Sequence, residues 1–554
     1  MPTNGPALFR NTKRCCFTVL ALLACSVAAA DKPPAGYQRA QAQFQTSDRC
    51  LACHNGLVSP TGQDVSIGTD WRTSVMANAG IDPYWEASVR RESIDHRDSS
   101  VAIQDDCATC HMPIARYHAH LRGQVPDVFG HLPLNPVLGE AREYADGVSC
   151  SVCHQITAQN LGTPASYNGD FVVAGPQPDG VHPEYGPFPI DPGLKRVMRS
   201  STGGFQPTQA DQIRSSALCA SCHTLITKAL GPNGQVIGSL PEQVPYQEWQ
   251  HSDFRDQRSC QSCHMPLINE AVPITRVLGQ LRIGARHHQF VGGNFLLQQM
   301  LGRYHNELNL VPSSEEFSAA ANRTVAFLQA ESARLSIDTP ALRAGRLEMN
   351  ISVQNLDGHK LPTAYPSRRA WLHVSVRARN GQVLFESGAL RPDGSIVGNV
   401  NDDDPLRYEP HYREIRDAKQ VEIYEAILGD RNGAVTTGLL NAVGYLKDNR
   451  LLPRGFDKQT ASAQIAVHGD ALQDPAFTQG GDRVHYSIAV GAAQGPYQVQ
   501  AELLYQPIGY RWATNLKVYH AAAEPQRFNT YYDAMGSATT VTLAQAAAVA
   551  QPVR

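Results

Sequence analysis

One five-residue pattern recurs along the chain and limits what kind of protein it can be. The five copies are Cys50-Leu-Ala-Cys53-His54, Cys107-Ala-Thr-Cys110-His111, Cys150-Ser-Val-Cys153-His154, Cys219-Ala-Ser-Cys222-His223 and Cys260-Gln-Ser-Cys263-His264. Their first residues lie 41 to 69 positions apart. The 554-residue chain has 13 cysteines, and the other three are Cys15, Cys16 and Cys25. Beyond residue 30, no cysteine is left over for a disulfide or a thiol nucleophile.

This spacing is typical of covalent haem attachment. The two thiols of a Cys-x-x-Cys-His motif can bond to the two vinyl groups of one haem while the adjacent imidazole binds the iron. A zinc site or a redox dithiol is the alternative for an isolated motif, but zinc needs four ligands and a thioredoxin-like dithiol does not need the histidine. We therefore expect five c-type haems held by the ten cysteines. The expected proximal iron ligands are His54, His111, His154, His223 and His264.

The sixth position of each iron separates an electron carrier from an enzyme, because an open face lets a small molecule bind. Histidines outside the motifs exceed the five positions to be filled. The distal-ligand candidates are His118, His120, His251, His287, His288, His96, His305 and His359. The alternative for each is a surface histidine or a contact with a haem propionate. Met76 could also bind iron, and a methionine ligand would raise the potential of that haem.

His359 is weighed separately because it lies in a Gly-His-Lys-Leu-Pro turn far from the motifs. It could be a distal ligand or a propionate contact that ties the C-terminal part to a haem. The alternative is a hydrogen-bonded structural turn.

The N-terminus predicts export. Arg10, Lys13 and Arg14 precede an apolar run that ends in Ala28-Ala29-Ala30, as in a signal peptide covering residues 1–30. A competing interpretation is lipid attachment at Cys25, which ends the box-like run Leu22-Leu23-Ala24-Cys25. No later segment approaches the roughly 20 apolar residues of a spanning helix. We expect no transmembrane span and a location in the periplasm or on the outer cell surface.

The charge balance argues against nucleic acid as a partner. The chain has 48 basic and 51 acidic residues, so it produces no strong field of either sign. The expected partners are redox proteins whose identity the sequence does not give, or a further copy of the same chain.

The sequence texture predicts an α + β chain in two parts: mostly short helices and loops around a packed haem array, then an immunoglobulin-like β-sandwich. The expected segments are a pentahaem cytochrome c domain at 40–310, a linking helix at 311–330, a β-sandwich at 331–536 and an Ala-rich tail at 537–554. The number of residues per haem is too small to build five separate cores. The haems should therefore lie close together.

Local patterns support this division. Ser313 and Glu316 resemble a capping box that opens a helix through about Leu328. Alternating apolar residues from Leu347 predict strands, and Asn380-Gly381 predicts a hairpin. Further strand candidates are Gln464–Val467, Val484–Val490 and Tyr497–Tyr505.

The chain resembles the multihaem c-type cytochrome family, and its first part resembles the cytochrome c554-like haem domain. The matching stretches are Trp71–Glu92, Gly147-Val148-Ser149-Cys150, Trp249–Phe254, His288–Asn294 and Asn355–Thr363. The resemblance implies extracytoplasmic electron transfer and fixes no substrate. The chain has no Cys-x-x-Cys-Lys motif, unlike many pentahaem nitrite reductases, and five motifs where hydroxylamine oxidoreductases carry eight.

Two functions from different classes therefore stay open. The first is a pentahaem electron carrier whose irons are mostly bound by two histidines, with no catalytic residue. The second is an oxidoreductase in which one five-coordinate haem reacts with a small nitrogen or sulfur compound or peroxide, with Arg286 or the Arg116–Tyr117 pair beside it. A structural surface protein with incidental haems is a third possibility.

Overall fold

The computed structural model describes residues 43–133, 141–175, 177 and 180–551. The expected signal peptide and Cys25 lie outside the described residues. The first part of the chain consists mainly of short helices and loops. The helices are α1 (Ser47–His54), α2 (Ile67–Arg72), α3 (Pro83–Asp95), α4 (Ser100–His111), α5 (Pro113–Leu121), α6 (Ala141–Ala145), α7 (Cys150–Gln155), α8 (Pro192–Thr202), α9 (Ser216–Ala220), α10 (Pro245–Gln250), α11 (Cys260–His264) and α12 (Phe295–Arg303).

Three small two-stranded sheets lie between these helices. They pair β1 (His182–Gly186) with β2 (Phe205–Gln209), β3 (Leu225–Leu230) with β4 (Val236–Gln243), and β5 (Val272–Pro273) with β6 (Leu281–Arg282). Among the described residues, no helix is long and apolar enough to cross a membrane.

Local sequence explains where several helices begin and end. The Asp82 carboxylate accepts hydrogen bonds from the backbone N–H groups of Tyr84 (2.8 Å) and Trp85 (3.2 Å), which caps α3, and Pro83 is its first residue. The second motif closes α4 at His111, and Pro113 opens α5 after a one-residue break. Each motif histidine is thus placed by a helix or by the turn that follows one.

A longer helix, α13 (Ser314–Glu331), links the two parts of the chain. The Glu316 N–H donates to the Ser313 hydroxyl, and the Ser313 N–H donates to the Glu316 carboxylate. The capping box predicted from the sequence is therefore confirmed.

Two larger sheets follow α13. The five-stranded sheet contains β7 (Ala333–Ile337), β8 (Ala341–Arg343), β9 (Arg346–Asn355), β12 (Glu414–Ile415) and β16 (Gly481–Ala489). The seven-stranded sheet contains β10 (Arg369–Arg377), β11 (Val383–Ser387), β13 (Ile423–Asp430), β14 (Val435–Thr436), β15 (Ala442–Asp448), β17 (Tyr497–Gln506) and β18 (Val541–Ala550). Three short helices accompany them: α14 (Val400–Asp403), α15 (Tyr510–Asn515) and α16 (Ala523–Met535).

The alternating apolar pattern identified in the sequence lies on β9 and β10. Met349 and Ile351 of β9 and Val374 and Val376 of β10 are buried in one shared cluster, so the two sheets pack against each other. The hairpin at Asn380-Gly381 is confirmed, because β10 and β11 pair antiparallel across it. The mixed α + β architecture in two parts is likewise confirmed, whereas an immunoglobulin-like order of strands is not shown.

Two sequence predictions are wrong. The segment 537–554, expected as a tail, contains β18, which pairs antiparallel with β17 from Tyr497↔Ala550 to Tyr505↔Val541. Its small alanines carry little alternation in hydrophobicity, so only the pairing with β17 identifies the strand. The segment 464–467 is a turn that leads into an isolated bridge at His468, not a strand.

The two parts share one continuous core. Buried side chains of α3, including Tyr84 and Trp85, belong to the same cluster as Phe528 of α16 and the strands of both large sheets. Arg90 of α3 donates two hydrogen bonds, of 2.8 and 2.7 Å, to the Glu524 carboxylate of α16. The C-terminal part is therefore packed directly against the motif-bearing part.

Candidate haem-binding site

All five motifs face one continuous cavity. Its volume is about 1920 Å³, and every motif cysteine and histidine lies on its wall. A pocket for one ordinary small ligand has roughly 300–1,000 Å³. The wall also includes residues of the C-terminal part, among them His359, Arg368 and Tyr505. The chain therefore encloses a common space for several groups.

Cysteines from different motifs touch inside this cavity. Three pairs of thiols from different motifs lie close enough to interact: Cys50 with Cys150, Cys219 with Cys260, and Cys222 with Cys110. In each pair, this contact and then burial raise the pKa of the first-named thiol. The third and fourth motifs are also close, since the charge of Cys153 acts on Cys219 and Cys222. The third motif therefore lies between the first and the fourth, and the second and fifth motifs lie beside the fourth.

Hydrogen bonds from backbone N–H groups to serine hydroxyls connect the helices of neighbouring motifs. The Cys150 N–H donates to the Ser47 hydroxyl of α1 (3.2 Å), and the Cys260 N–H donates to the Ser216 hydroxyl of α9 (3.0 Å). These contacts hold the first motif against the third and the fourth against the fifth.

Four of the five motif histidines are oriented by backbone carbonyls. The Nδ1 atoms of His54, His111, His154 and His264 donate to the carbonyl oxygens of Ile274 (2.6 Å), Ala79 (3.0 Å), Tyr185 (2.5 Å) and Val291 (2.6 Å), respectively. An imidazole that donates through Nδ1 keeps a lone pair on Nε2 for a metal. Burial lowers the pKa of all five rings, to about 4 for His111 and His223, and this favours the neutral form that binds metal.

His359 lies close to His264 on the wall of the cavity. Their ring centroids are 6.1 Å apart, and their planes are 10° from parallel. The Nδ1 of His359 donates to the Lys360 carbonyl (3.0 Å). Two imidazoles that bind one metal from opposite sides through bonds of ~2 Å place their centroids roughly 6 Å apart. Burial, followed by the charge of His264, lowers the pKa of His359 to about 4.

His288 is a second distal candidate that lines the cavity. Its Nδ1 donates to the Arg286 carbonyl at 3.1 Å. Burial, and then the neighbouring charge of His154, lowers its pKa to about 4. Like four of the motif histidines, this ring is held by a bond from Nδ1 to a backbone carbonyl, and its lowered pKa favours the neutral form.

Three further candidates are held near the array without lining its wall. His118 is 1% exposed, its Nδ1 donates to the Glu143 carboxylate (2.8 Å), and its buried Nε2 has no hydrogen-bond partner among the described residues. His96 also has a buried Nε2 without a hydrogen bond in the described chain, 3.9 Å from the Glu92 carboxylate. The Nδ1 of His287 donates to Asp70 at 2.6 Å.

The other three candidates lie off the described wall of the cavity and bond to other parts of the protein. The Nε2 of His120 bonds to Asp105 (2.6 Å), and the Nε2 of His251 bonds to the Asp457 carbonyl (3.0 Å). His305, in the turn after α12, bonds through Nδ1 to the Gly302 carbonyl three residues earlier (3.0 Å). None of these rings is on the described wall of the cavity.

The two arginines proposed for a reactive distal pocket, Arg116 and Arg286, bond to neighbouring protein groups. Arg116 forms a salt bridge with Asp105, with Nε 3.0 Å from Oδ1. Arg286 donates to the carbonyls of Gln261 (3.2 Å) and Met265 (2.9 Å). Met76 does line the cavity.

Sequence reasoning missed a set of buried carboxyl groups on the cavity wall. Burial raises the pKa of Asp82 to about 6, of Glu242 to about 7 and of Glu184 to about 8. It also missed Glu143 and Asp70, which orient His118 and His287. No local pattern marks these acids, because their roles depend on contacts between distant segments.

Comparison with known proteins supports the fold. No family model matches the chain, and no curated protein matches it in sequence. Among solved structures, the chain is similar to a penta-heme cytochrome c552 from Thermochromatium tepidum, with a TM-score of 0.50 and 16% identity. The match covers 92% of this chain and 99% of that chain. The resemblance to multihaem cytochromes is thus supported at the level of the fold.

Proposed function

We propose that this chain is an exported pentahaem c-type cytochrome that transfers electrons outside the cytoplasm. The observation that carries the proposal is that all five Cys-x-x-Cys-His motifs face one cavity in which neighbouring motifs touch. The donor set fits haem: paired thiols lie beside neutral, oriented imidazoles. A haem iron held by two imidazoles changes oxidation state with little rearrangement.

The ten motif cysteines attach the haems in this proposal, and the five motif histidines are the proximal ligands. Six of the eight distal candidates have a ring whose Nε2 is not occupied by a described hydrogen bond, and one of these, His305, is partly exposed and off the described wall of the cavity. We take as distal ligands the five that line the cavity or have nearly buried side chains. These are His96, His118, His287, His288 and His359. We assign His359 to the haem of His264 and leave the other pairings open.

The C-terminal part contributes directly to the cavity in this account. Its His359 completes the coordination of the fifth haem, and its Arg368 lies on the wall near His264 and His223. An immunoglobulin-like topology for this part stays a prediction. The order of the motifs in space gives an electron path from the first through the third to the fourth, with the second and fifth as branches.

We further propose that the protein acts in the periplasm or at the outer cell surface with redox proteins as donor and acceptor, or with copies of itself. The leader sequence supports export. Mass analysis of the mature N-terminus separates cleavage after Ala30 from lipid attachment at Cys25.

Haem stoichiometry tests the proposal. The intact mass of the purified holoprotein should equal that of the mature chain plus five haems, and denaturation should release none of them. A Cys260→Ser, Cys263→Ser variant should carry four. A wild-type mass with fewer than five covalent haems would contradict the proposal, and so would zinc in place of iron at the motifs.

A further inference from the structure

A second group of potential metal ligands lies in the C-terminal part, away from the haem cavity. His411, Asp474 and Asp482 are buried, and one donor atom from each lies within 4.8 Å of the others. None of the three lines the described wall of the cavity. Asp482 is on β16, His411 precedes β12 and Asp474 follows a short turn at 470–473, so three separate segments meet here.

The geometry resembles a metal centre with an orienting carboxylate. The Nε2 of His411 is 3.1 Å from Oδ2 of Asp474, and its Nδ1 is 2.8 Å from Oε1 of Glu422. Donor atoms around a tetrahedral ion with bonds of ~2.0 Å lie about 3.3 Å apart. A histidine ligand commonly donates its other ring N–H to a carboxylate, which is the position of Glu422.

Burial alone would lower the pKa of His411, but the charge of Glu422 raises it to about 9, so the protonated ring offsets part of the charge of the surrounding carboxylates. The carboxylates of Glu422, Asp474 and Asp482 surround one imidazole, and all four side chains are almost fully buried. Two further cations lie at the edge of the group. The half-exposed Arg413 has its Nε 4.0 Å from Oδ2 of Asp474. The Lys458 ammonium donates to the carbonyls of Ala471 (3.0 Å), Asp474 (2.6 Å) and Phe477 (2.8 Å), so its N–H groups are taken by the backbone. Buried carboxylates of this kind need a further cation or a proton.

Tyr486 supplies an independent indication of a missing partner. Its side chain is fully buried, and among the described residues its hydroxyl has no hydrogen bond. Burial raises the pKa of this phenol well above its usual range, and the charges of Glu422 and Asp482 raise it further. An unpartnered buried hydroxyl beside a cluster of carboxylates is unusual in a folded protein.

We propose that His411, Asp474 and Asp482 bind one divalent first-row transition-metal ion, with zinc the best match, and that Glu422 orients His411. An imidazole nitrogen with two carboxylates suits zinc, whereas calcium takes oxygen ligands alone. The ion would join β16 to the segments before β12 and after residue 473. Its role is to stabilise the C-terminal part.

Metal analysis of the full-length holoprotein, grown with added zinc, tests this proposal. The wild-type protein should contain about one zinc per five haem irons, and Asp482→Asn should reduce the zinc content at least ten-fold with an unchanged haem spectrum. Glu348→Gln is the matched control, because Glu348 pairs with His485 of the same sheet at 2.9 Å without a third ligand. This control should keep its zinc.

A second measurement, on the wild-type protein, tests the proposal even if Asp482→Asn does not fold. After chelation, the thermal midpoint of the wild-type protein should rise when zinc is added and should not rise with magnesium or calcium. Wild-type protein with less than about a tenth of a zinc per chain and a thermal midpoint indifferent to zinc, manganese and cobalt would overturn the proposal. Zinc retained by a folded Asp482→Asn variant, or a response to calcium alone, would overturn it too.

Discussion

The rings of His264 and His359 lie side by side in the cavity with centroids 6.1 Å apart and planes 10° from parallel, although the two residues are 95 positions apart in the chain. Each ring is fixed by an Nδ1–H bond to a carbonyl, of Val291 and Lys360 respectively. This relationship connects a haem motif of the first part to a turn at the start of the β-rich part. In the proposed function, it makes the C-terminal part a component of the redox site.

The first prediction concerns His359. Replacing His359 with Met should raise the potential of one haem in five, because a thioether favours the ferrous state more than an imidazole does. Potentiometric titration of the holoprotein followed by its α-band absorbance measures this shift. His305→Met is the control, since His305 lies off the described wall of the cavity and bonds to the end of α12, and it should leave all five potentials unchanged. Five unchanged potentials in His359→Met would remove His359 from the coordination sphere.

The second prediction concerns the carboxylate that orients His118. Glu143→Gln should weaken the basicity of His118 and raise the potential of a single haem, since a hydrogen-bonded carboxylate increases the donor strength of a ligand imidazole. The matched control is Asp105→Asn, because Asp105 holds His120 at 2.6 Å in a similar pair away from the cavity wall. Equal titration curves for both variants and the wild type would argue that His118 is not a ligand.

The third prediction concerns Gly147, which precedes the third motif. Its φ is +54°, and a Cβ there would lie 2.5 Å from the Met76 carbonyl oxygen and 2.6 Å from that of Ala77. Gly147→Ala should therefore lower stability by more than the roughly 1–2 kcal/mol of a left-handed alanine alone. The control Gly123→Ala has φ +70° and no atom within 4 Å of the added Cβ, so it isolates the backbone effect. Denaturant unfolding followed by haem absorbance compares the two, and equal losses would contradict the close contact.

The fourth prediction concerns pH and the buried Asp448. Burial alone would raise the pKa of Asp448, but the Arg450 guanidinium and the Lys360 ammonium hold it well below its usual range. Such a group stabilises the folded protein above the ordinary aspartate pKa of about 3.9, and this stability is lost as pH falls further. Asp448→Asn should thus cost about 3–5 kcal/mol at pH 7, because it removes the carboxylate paired with the buried Lys360 and leaves Arg450 with Glu248 (3.3 Å) as its one remaining described ion-pair partner.

The deficit of the same variant should shrink as pH falls below about 4, because the unfolded wild-type chain then binds a proton at Asp448 that the folded protein does not, which lowers the stability of the wild type alone. Urea unfolding from pH 7 to pH 3 measures the difference, with the exposed Asp533 of the Lys517–Asp533 pair replaced by Asn as a control. That control should differ from the wild type by at most ~1 kcal/mol at any pH. A deficit in Asp448→Asn that is independent of pH would contradict the assigned ion cluster.

Much of the site could be predicted because its signals are local. The attachment motif needs only five consecutive residues, the Ser313–Glu316 capping box needs four, and the Asn380-Gly381 hairpin depends on turn chemistry. The structure agrees with each of these helices and turns. The haem content itself stays a prediction until it is measured.

The remainder could not be predicted because it depends on contacts between distant segments. The proximity of Cys50 to Cys150, and the separation of His120 from the cavity, both follow from how short helices pack. The strand from Val541 to Ala550 was missed because alanines carry no hydrophobic alternation, and its identity comes from pairing with β17. The orienting role of Glu143 likewise has no local signature.

Low-temperature electron paramagnetic resonance of the ferric holoprotein, with and without nitrite or cyanide, tests the electron-carrier account most directly. Five irons that each have two protein ligands should all be low-spin and indifferent to added ligand. A high-spin signal of about one haem per molecule that changes on ligand addition would contradict this, because an open iron is the mark of an oxidoreductase.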